Sequence, residues 1–245
     1  MTLNKKNILV TGVGKGIGYS TLIEASKQGA FVYGIAKSKK DKYKFKNIKN
    51  IKIFYGSVLN DKIIKEIISQ SIKDRRLITG LVNNAGMRQR KKFNNINKKD
   101  IRQVFDINFF SVFNLMQVFS KYFIKFKLKA SIVNIGSIVG NIGFKELSGY
   151  ASTKTALIGL TKSFANEMSK NRIRANIVSP GFTKTSYFKK FKKKKNLYKW
   201  TLSRIPLTRW GEPEEISNLI CFLLSDKSEY INGQNINIDG GWTSS

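Results

Sequence analysis

Short apolar runs rich in β-branched residues alternate along the whole chain with longer segments of helical periodicity, and few folds accommodate that alternation. The strand-like runs are Asn7 to Thr11, Ala30 to Ala36, Ile51 to Tyr55, Gly80 to Asn83, Ser131 to Gly136, Ile173 to Val178 and Asn235 to Ile238. Between them the periodicity predicts helices near Ile17 to Gln28, Asp61 to Ser71, Lys98 to Lys125, Gly149 to Ser169 and Pro213 to Leu224. The last opens with Pro213 in a favourable first-turn position and Glu214 and Glu215 behind it. Strands buried on both faces and joined by helical crossovers form a parallel sheet covered on either side. The expected fold class is therefore α/β, a doubly wound parallel sheet of about seven strands.

The 245 residues, 41% of them hydrophobic, are enough to bury a substantial core and few enough for a single domain. No repeat or linker divides them. The longest apolar stretches, such as Ser131 to Val139 and Leu219 to Leu224, fall well short of the roughly 20 residues that span a bilayer, so no membrane segment is expected. Met1 to Lys6 leads into the first strand without the apolar region of a secretory signal, which predicts a cytoplasmic protein.

The chain has no histidine and one cysteine, Cys221. Histidine triads, histidine ligands and thiolate metal cages are thereby excluded, and no metal site is expected. Proton transfer must use Tyr, Lys, Asp or Glu. Cys221 lies in the apolar helical run Ile216 to Leu224 and reads as an inert core residue.

Forty-five Lys plus Arg against 15 Asp plus Glu give a formal charge of +30. Such a field attracts nucleic acid, anionic membranes, acidic proteins or phosphorylated substrates. Lys, Asn, Ile and Phe are abundant everywhere in the chain, however, so the charge also reads as compositional bias.

Directly after the first strand comes Thr11-Gly12-Val13-Gly14-Lys15-Gly16-Ile17-Gly18 and then a helix. Glycines there allow a tight turn and close approach to a pyrophosphate, while the helix N-terminus offers free N–H groups and partial positive charge. The order strand, glycines, helix points to a Rossmann-type dinucleotide site. The second strand ends in Ala36-Lys37, where an NAD site usually presents an acid to the ribose hydroxyls. Lys15 and Lys37 would instead neutralise a 2′-phosphate, which favours NADP(H), with NAD(H) as the alternative. Gly56-Ser57-Val58 closes the third strand where an adenine would lie, and Asn83-Asn84-Ala85-Gly86 closes the fourth with small and polar residues suited to a nearby ligand.

Ser137 follows the strand Ser131 to Gly136, which sets its hydroxyl at the carboxyl edge of the sheet. Thirteen residues on, Tyr150-Ala151-Ser152-Thr153-Lys154 places a phenol and an ammonium on one helix face. A phenol with a pKa of about 10 is a poor base at neutral pH, and a nearby ammonium lowers that value. Reduction of a carbonyl could then use Ser137 to hydrogen-bond the oxygen and Tyr150 to deliver the proton.

Taken together, these residues resemble the short-chain dehydrogenase/reductase family over essentially the whole chain. Its glycine motif resembles Gly12, Gly16 and Gly18, its Asn-Asn-Ala-Gly element resembles Asn83 to Gly86, and its catalytic tetrad resembles Asn108, Ser137, Tyr150 and Lys154. The resemblance implies that Asn108 holds a water linking Lys154 to solvent. It also implies that Pro180-Gly181 and Thr183 form the loop beside the nicotinamide, with Thr183 on the carboxamide. Ser57 departs from the Asp that many members use on the adenine, which shifts that contact toward the backbone of Val58. Gly240-Gly241-Trp242 resembles the family's C-terminal segment, and a homotetramer is implied.

Within the family the chain most resembles bacterial 3-oxoacyl-acyl-carrier-protein reductases and sugar or polyol dehydrogenases. Residues 182–204 are expected to form a substrate lid carrying Phe188, Phe191, Tyr198 and Trp200 among its lysines. In one reading Lys189 to Lys195 dock an acidic carrier protein or an acidic or phosphorylated substrate. In the other the charge is compositional, the substrate is a small sugar, polyol or ketone, and Arg88 and Arg90 favour an acidic sugar. Binding of single-stranded nucleic acid would leave Ser137, Tyr150 and Lys154 without a role.

Overall fold

The computed structural model describes residues 2–244. These form one sheet of seven parallel strands in the order β3-β2-β1-β4-β5-β6-β7. The strands are β1 (Asn7–Thr11), β2 (Phe31–Ala36), β3 (Ile51–Tyr55), β4 (Gly80–Asn83), β5 (Ala130–Ile135), β6 (Ile173–Pro180) and β7 (Asn235–Ile238). The chain runs outward from β1 to β3, then returns to lay β4 on the other side of β1. This reversal opens a crevice between the carboxyl ends of β1 and β4, the place where ligands of doubly wound sheets bind.

Alternation along the strands divides the core in two. Leu9, Leu81, Ile132 and Ala175 face one layer, built by α2 (Asp61–Lys73), α4 (Ser111–Lys125) and α6 (Ser148–Met168). Val10, Val82, Val133 and Val178 face the other, under α1 (Gly16–Lys27) and α9 (Pro213–Leu224). Cys221 is buried in this second layer, and burial pushes its thiol up to about 12. No helix among the described residues is long and apolar enough to cross a membrane.

The single helix expected over Lys98 to Lys125 is interrupted. α3 (Lys98–Phe105) passes into a π-turn over Asp106–Phe110 before α4 begins. The wider turn leaves Asn108 buried and bonded to two neighbouring segments, a constraint that hydrophobic periodicity does not register. The expected lid also has its own structure, α7 (Phe188–Lys192) and α8 (Lys195–Arg204), with the short α5 (Val139–Ile142) lying after β5.

Candidate active site

At the crevice the two loops on either side of the reversal are bonded to each other. Thr11 Oγ1 accepts from the N–H groups of Asn84 and Ala85, both at 2.9 Å. The Asn84 amide donates back to the carbonyls of Thr11 at 2.8 Å and Gly12 at 3.2 Å. Asn83 ties β4 to β5 through Asn134 Oδ1 at 2.7 Å. The polar pair thus braces the strand ends, a function beyond the ligand proximity expected from its composition.

Gly12 has φ 74°, a left-handed conformation that glycine adopts without penalty. A Cβ on Gly18 would lie 2.4 Å from the Gly12 carbonyl oxygen, so α1 packs directly beneath the turn. Lys15 precedes α1 in an extended conformation, no side chain caps the helix, and its first turn has no acid. The leading N–H groups and the positive end of the helix therefore remain available at the cleft.

The cleft measures about 960 Å³. All the residues expected to bind cofactor line it except Gly18, which lies behind its wall. Its lining includes no Asp or Glu, while Lys15, Lys37, Arg88 and Lys154 supply cations. At the adenine end Ser57 Oγ accepts from Leu59 N–H at 3.2 Å, beside the buried Val58. At the opposite end Thr183 Oγ1 donates to the Gly181 carbonyl at 3.2 Å, and Thr183 pairs with Gly211.

Ser137, Tyr150 and Lys154 come together in this cleft. Ser137 Oγ accepts from Val139 N–H at 3.2 Å, which leaves its own hydrogen to donate. Lys154 is buried, its Nζ donating to the Ile135 carbonyl at 2.7 Å and lying 5.7 Å from the Tyr150 ring centroid. Burial pulls Lys154 down to about 8. Burial also raises Tyr150, while a hydrogen bond with Ser137 and the charge of Arg88 pull the phenol back down. Arg88 is thus a second cation near the phenol, beside the Lys154 expected there from the sequence.

Asn108 does not line the cleft. Its amide donates to the Met87 carbonyl at 2.9 Å and to Thr153 Oγ1 at 3.2 Å, and its Oδ1 accepts from Met87 N–H at 2.8 Å. The side chain is committed to joining the loop after β4 to α6, so a water link from this residue would have to use its main chain.

The substrate end is largely apolar, with walls from Met87, Ile138, Phe144, Leu147, Tyr187 and Trp210. Sequence reasoning missed all of these but Tyr187, which falls in the expected 182–204 segment, although Phe144 and Leu147 lie in the segment joining Ser137 to Tyr150. The lid aromatics do something other than line this end: Phe188, Phe191 and Tyr198 surround Trp210 at 5.1, 4.8 and 5.8 Å, and Trp200 packs on Trp242 at 5.6 Å. They anchor the 182–204 segment. Its base is secured by ion pairs between Lys184 and Glu212 and between Arg209 and Glu215, the latter at 2.7 Å. The lysines from Lys189 to Lys195 are exposed.

A cleft at the reversal point with a serine, a tyrosine and a lysine at one end can bind a dinucleotide and exchange a proton with a carbonyl oxygen. Comparisons with known proteins bear on the fold and the reaction class. A family model described as enoyl-(acyl carrier protein) reductase matches residues 12–243. The 3-oxoacyl-[acyl-carrier-protein] reductase FabG of Thermotoga maritima is 37% identical over 250 residues, covering 98% of this chain and 99% of the relative. A solved 4-hydroxyisoleucine dehydrogenase complexed with NADH superposes with a TM-score of 0.91 at 29% identity, covering 98% and 99% of the two chains. A putative 2-deoxy-D-gluconate 3-dehydrogenase from Agrobacterium tumefaciens with bound NADP superposes with 0.90 at 28% identity, covering 100% and 98%. With a sheet order, a cleft and a full-length match that agree, this chain is an oxidoreductase and belongs to the short-chain dehydrogenase/reductase family.

Proposed function

We propose that the protein reduces the ketone of a 3-oxoacyl thioester, or runs the reverse oxidation, with NADP(H). The observation that carries this reading is the meeting of Ser137, Tyr150 and Lys154 in one cleft with the glycine turn of β1. The cleft suits a polyanionic dinucleotide: the first turn of α1 is uncapped, Lys15 stands beside it, and no carboxylate lines the walls. Lys37 follows β2 where a 2′-phosphate needs a cation, which supports NADP(H) over NAD(H). When bound, the nicotinamide supplies or accepts the hydride.

The remaining steps belong to the protein. Ser137, held by Val139 N–H, donates a hydrogen bond to the carbonyl oxygen as negative charge develops there. Tyr150 gives that oxygen its proton, so the carbonyl becomes an alcohol. Lys154 is fixed on Ile135 beside the tyrosine, and Asn108 positions the Met87 loop against α6. Apolar walls fit an acyl chain better than a sugar, whose hydroxyls would need partners. The FabG relative supports the thioester. We further infer that the exposed lysines of α7 and its flanks help dock an acidic carrier, and that the chain assembles as a homotetramer. Phe110 and Phe113, 54% and 45% exposed, are apolar groups such assembly would cover.

The test is turnover by the purified protein of acetoacetyl thioester, free and carrier-bound, against neutral sugars and polyols, with NADPH and with NADH. The expected result is NADPH-dependent reduction of the thioesters, with the specificity constant for the carrier-bound form falling as salt rises. Activity on sugars or polyols alone would overturn the thioester reading. A salt response unchanged by neutralising the lid lysines would overturn the docking.

A further inference from the structure

Beyond the influence of its charge on the Tyr150 phenol, Arg88 has no part in the machinery described so far. It follows the Asn83 to Gly86 element and lines the same cleft as Tyr150. Its neighbours in sequence have turned away: Arg90 bonds Glu146 at 2.8 Å and Lys91 bonds Asp100 at 2.6 Å, both outside the cleft. Arg88 has no such acid among the described residues. Its guanidinium lies 5.3 Å from the centroid of the Tyr187 ring, which supports it from the lid side. The dinucleotide reading accounts for Lys15 and Lys37, and Lys154 is fixed on Ile135. Arg88 is therefore the cation at the substrate end with no acid among the described residues bonded to it, exposed to solvent at the edge of apolar walls that carry no carboxylate.

A guanidinium presents a planar fork of donors that matches a carboxylate in two parallel hydrogen bonds. A 3-oxoacyl thioester offers this fork one neutral acyl oxygen two carbons from the ketone. A free 3-oxo acid offers two charged oxygens at the same place. We propose that Arg88 binds the group beside the reacting ketone, so that this site also takes free 3-oxo carboxylates and Arg88 selects them over neutral ketones. The inference rests on the reduction proposed above. Its balance is the same: the ketone carbon gains a hydride, its oxygen gains the proton of Tyr150, the reduced nicotinamide is oxidised, and the carboxylate is unchanged.

The test compares acetoacetate with its neutral ethyl ester as NADPH-dependent substrates, in the wild type and in Arg88→Met and Arg88→Lys. The readout is the ratio of the two kcat/KM values, which cancels any effect of the substitution on Tyr150 or on folding. The wild type is expected to prefer acetoacetate. Arg88→Met should lower that preference roughly 30-fold or more, the worth of a charge-assisted pair, and Arg88→Lys should restore part of it. A wild type that favours the ester, or a preference unchanged in Arg88→Met, overturns the proposal. Turnover of acetoacetyl thioester in the same preparation keeps the underlying reduction intact in either case; loss of all carbonyl reduction would instead strike at that parent reading.

Discussion

Replacing Asn108 by alanine removes three hydrogen bonds at a residue that is 1% exposed. Two of them satisfy the N–H and carbonyl of Met87, and the third reaches Thr153 on α6. Leaving buried backbone groups unpaired costs about 1–3 kcal/mol each, and partial access of water at Met87 puts the total near the lower part of that range, about 2–4 kcal/mol. For a chain of this length each kcal/mol lowers Tm by about 2–4 °C, so a drop of roughly 5–15 °C is expected. Met87 adjoins Arg88 in the cleft wall, so kcat/KM should fall as well. Thermal unfolding followed by circular dichroism, alongside steady-state kinetics, measures both effects. The Thr153→Val variant, which removes the bond from Asn108 and the Thr153 bond to the Tyr150 carbonyl but leaves Met87 paired, should lose less, and the double variant should lose less than the two single losses combined. A Tm within a degree of wild type for Asn108→Ala would refute the structural role given to the π-turn.

Other sites give equally direct expectations. Lys37→Glu should weaken NADPH roughly tenfold relative to NADH, read as the ratio of their dissociation constants; an unchanged ratio would remove Lys37 from phosphate recognition. Gly18→Ala forces a Cβ to within 2.4 Å of the Gly12 oxygen, so it should lower stability by about 1–3 kcal/mol and weaken dinucleotide binding in titrations. Arg209 first, and then the Glu212 N–H, hold the Glu215 carboxyl down at about 2 from an ordinary 4.5. Because the folded value is the lower one, this pair supports the lid base fully above about pH 4.5, and its contribution disappears as pH falls toward 2. Tryptophan fluorescence should report a transition in that window, through the adjacent Trp210, that Glu215→Gln lacks.

The central strands were legible because they are buried on both faces. Runs such as Ile8-Leu9-Val10 and Ile132-Val133 have no polar alternative, and the glycine turn identifies the first of them as a nucleotide-binding strand. Ser137, Tyr150 and Lys154 could be picked out because spacing puts their side chains at one sheet edge and on one helix face. The π-turn was hidden, because Asp106 to Phe110 continues the apolar helical pattern while the cause of the break is a long-range bond from Asn108 to Met87. The work of Asn84 was hidden for the same reason: composition shows that the backbone passes close to something, but only the fold shows that it is Thr11 and Gly12. The lid aromatics could be found but not given a function, since packing around Trp210 and exposure to substrate look alike in sequence. Arg88 and Arg90, two residues apart, were indistinguishable until Glu146 claimed one of them.

The central claim is that Tyr150 is the proton donor in this cleft, and the Tyr150→Phe variant tests it most directly. The phenyl ring keeps the packing and removes only the hydroxyl. NADPH-dependent reduction of acetoacetyl thioester should fall by roughly a hundredfold or more, the usual contribution of a positioned acid, while Tm and NADPH affinity stay close to wild type. A variant that retains the fold, binds NADPH and turns over at the wild-type rate would contradict the account.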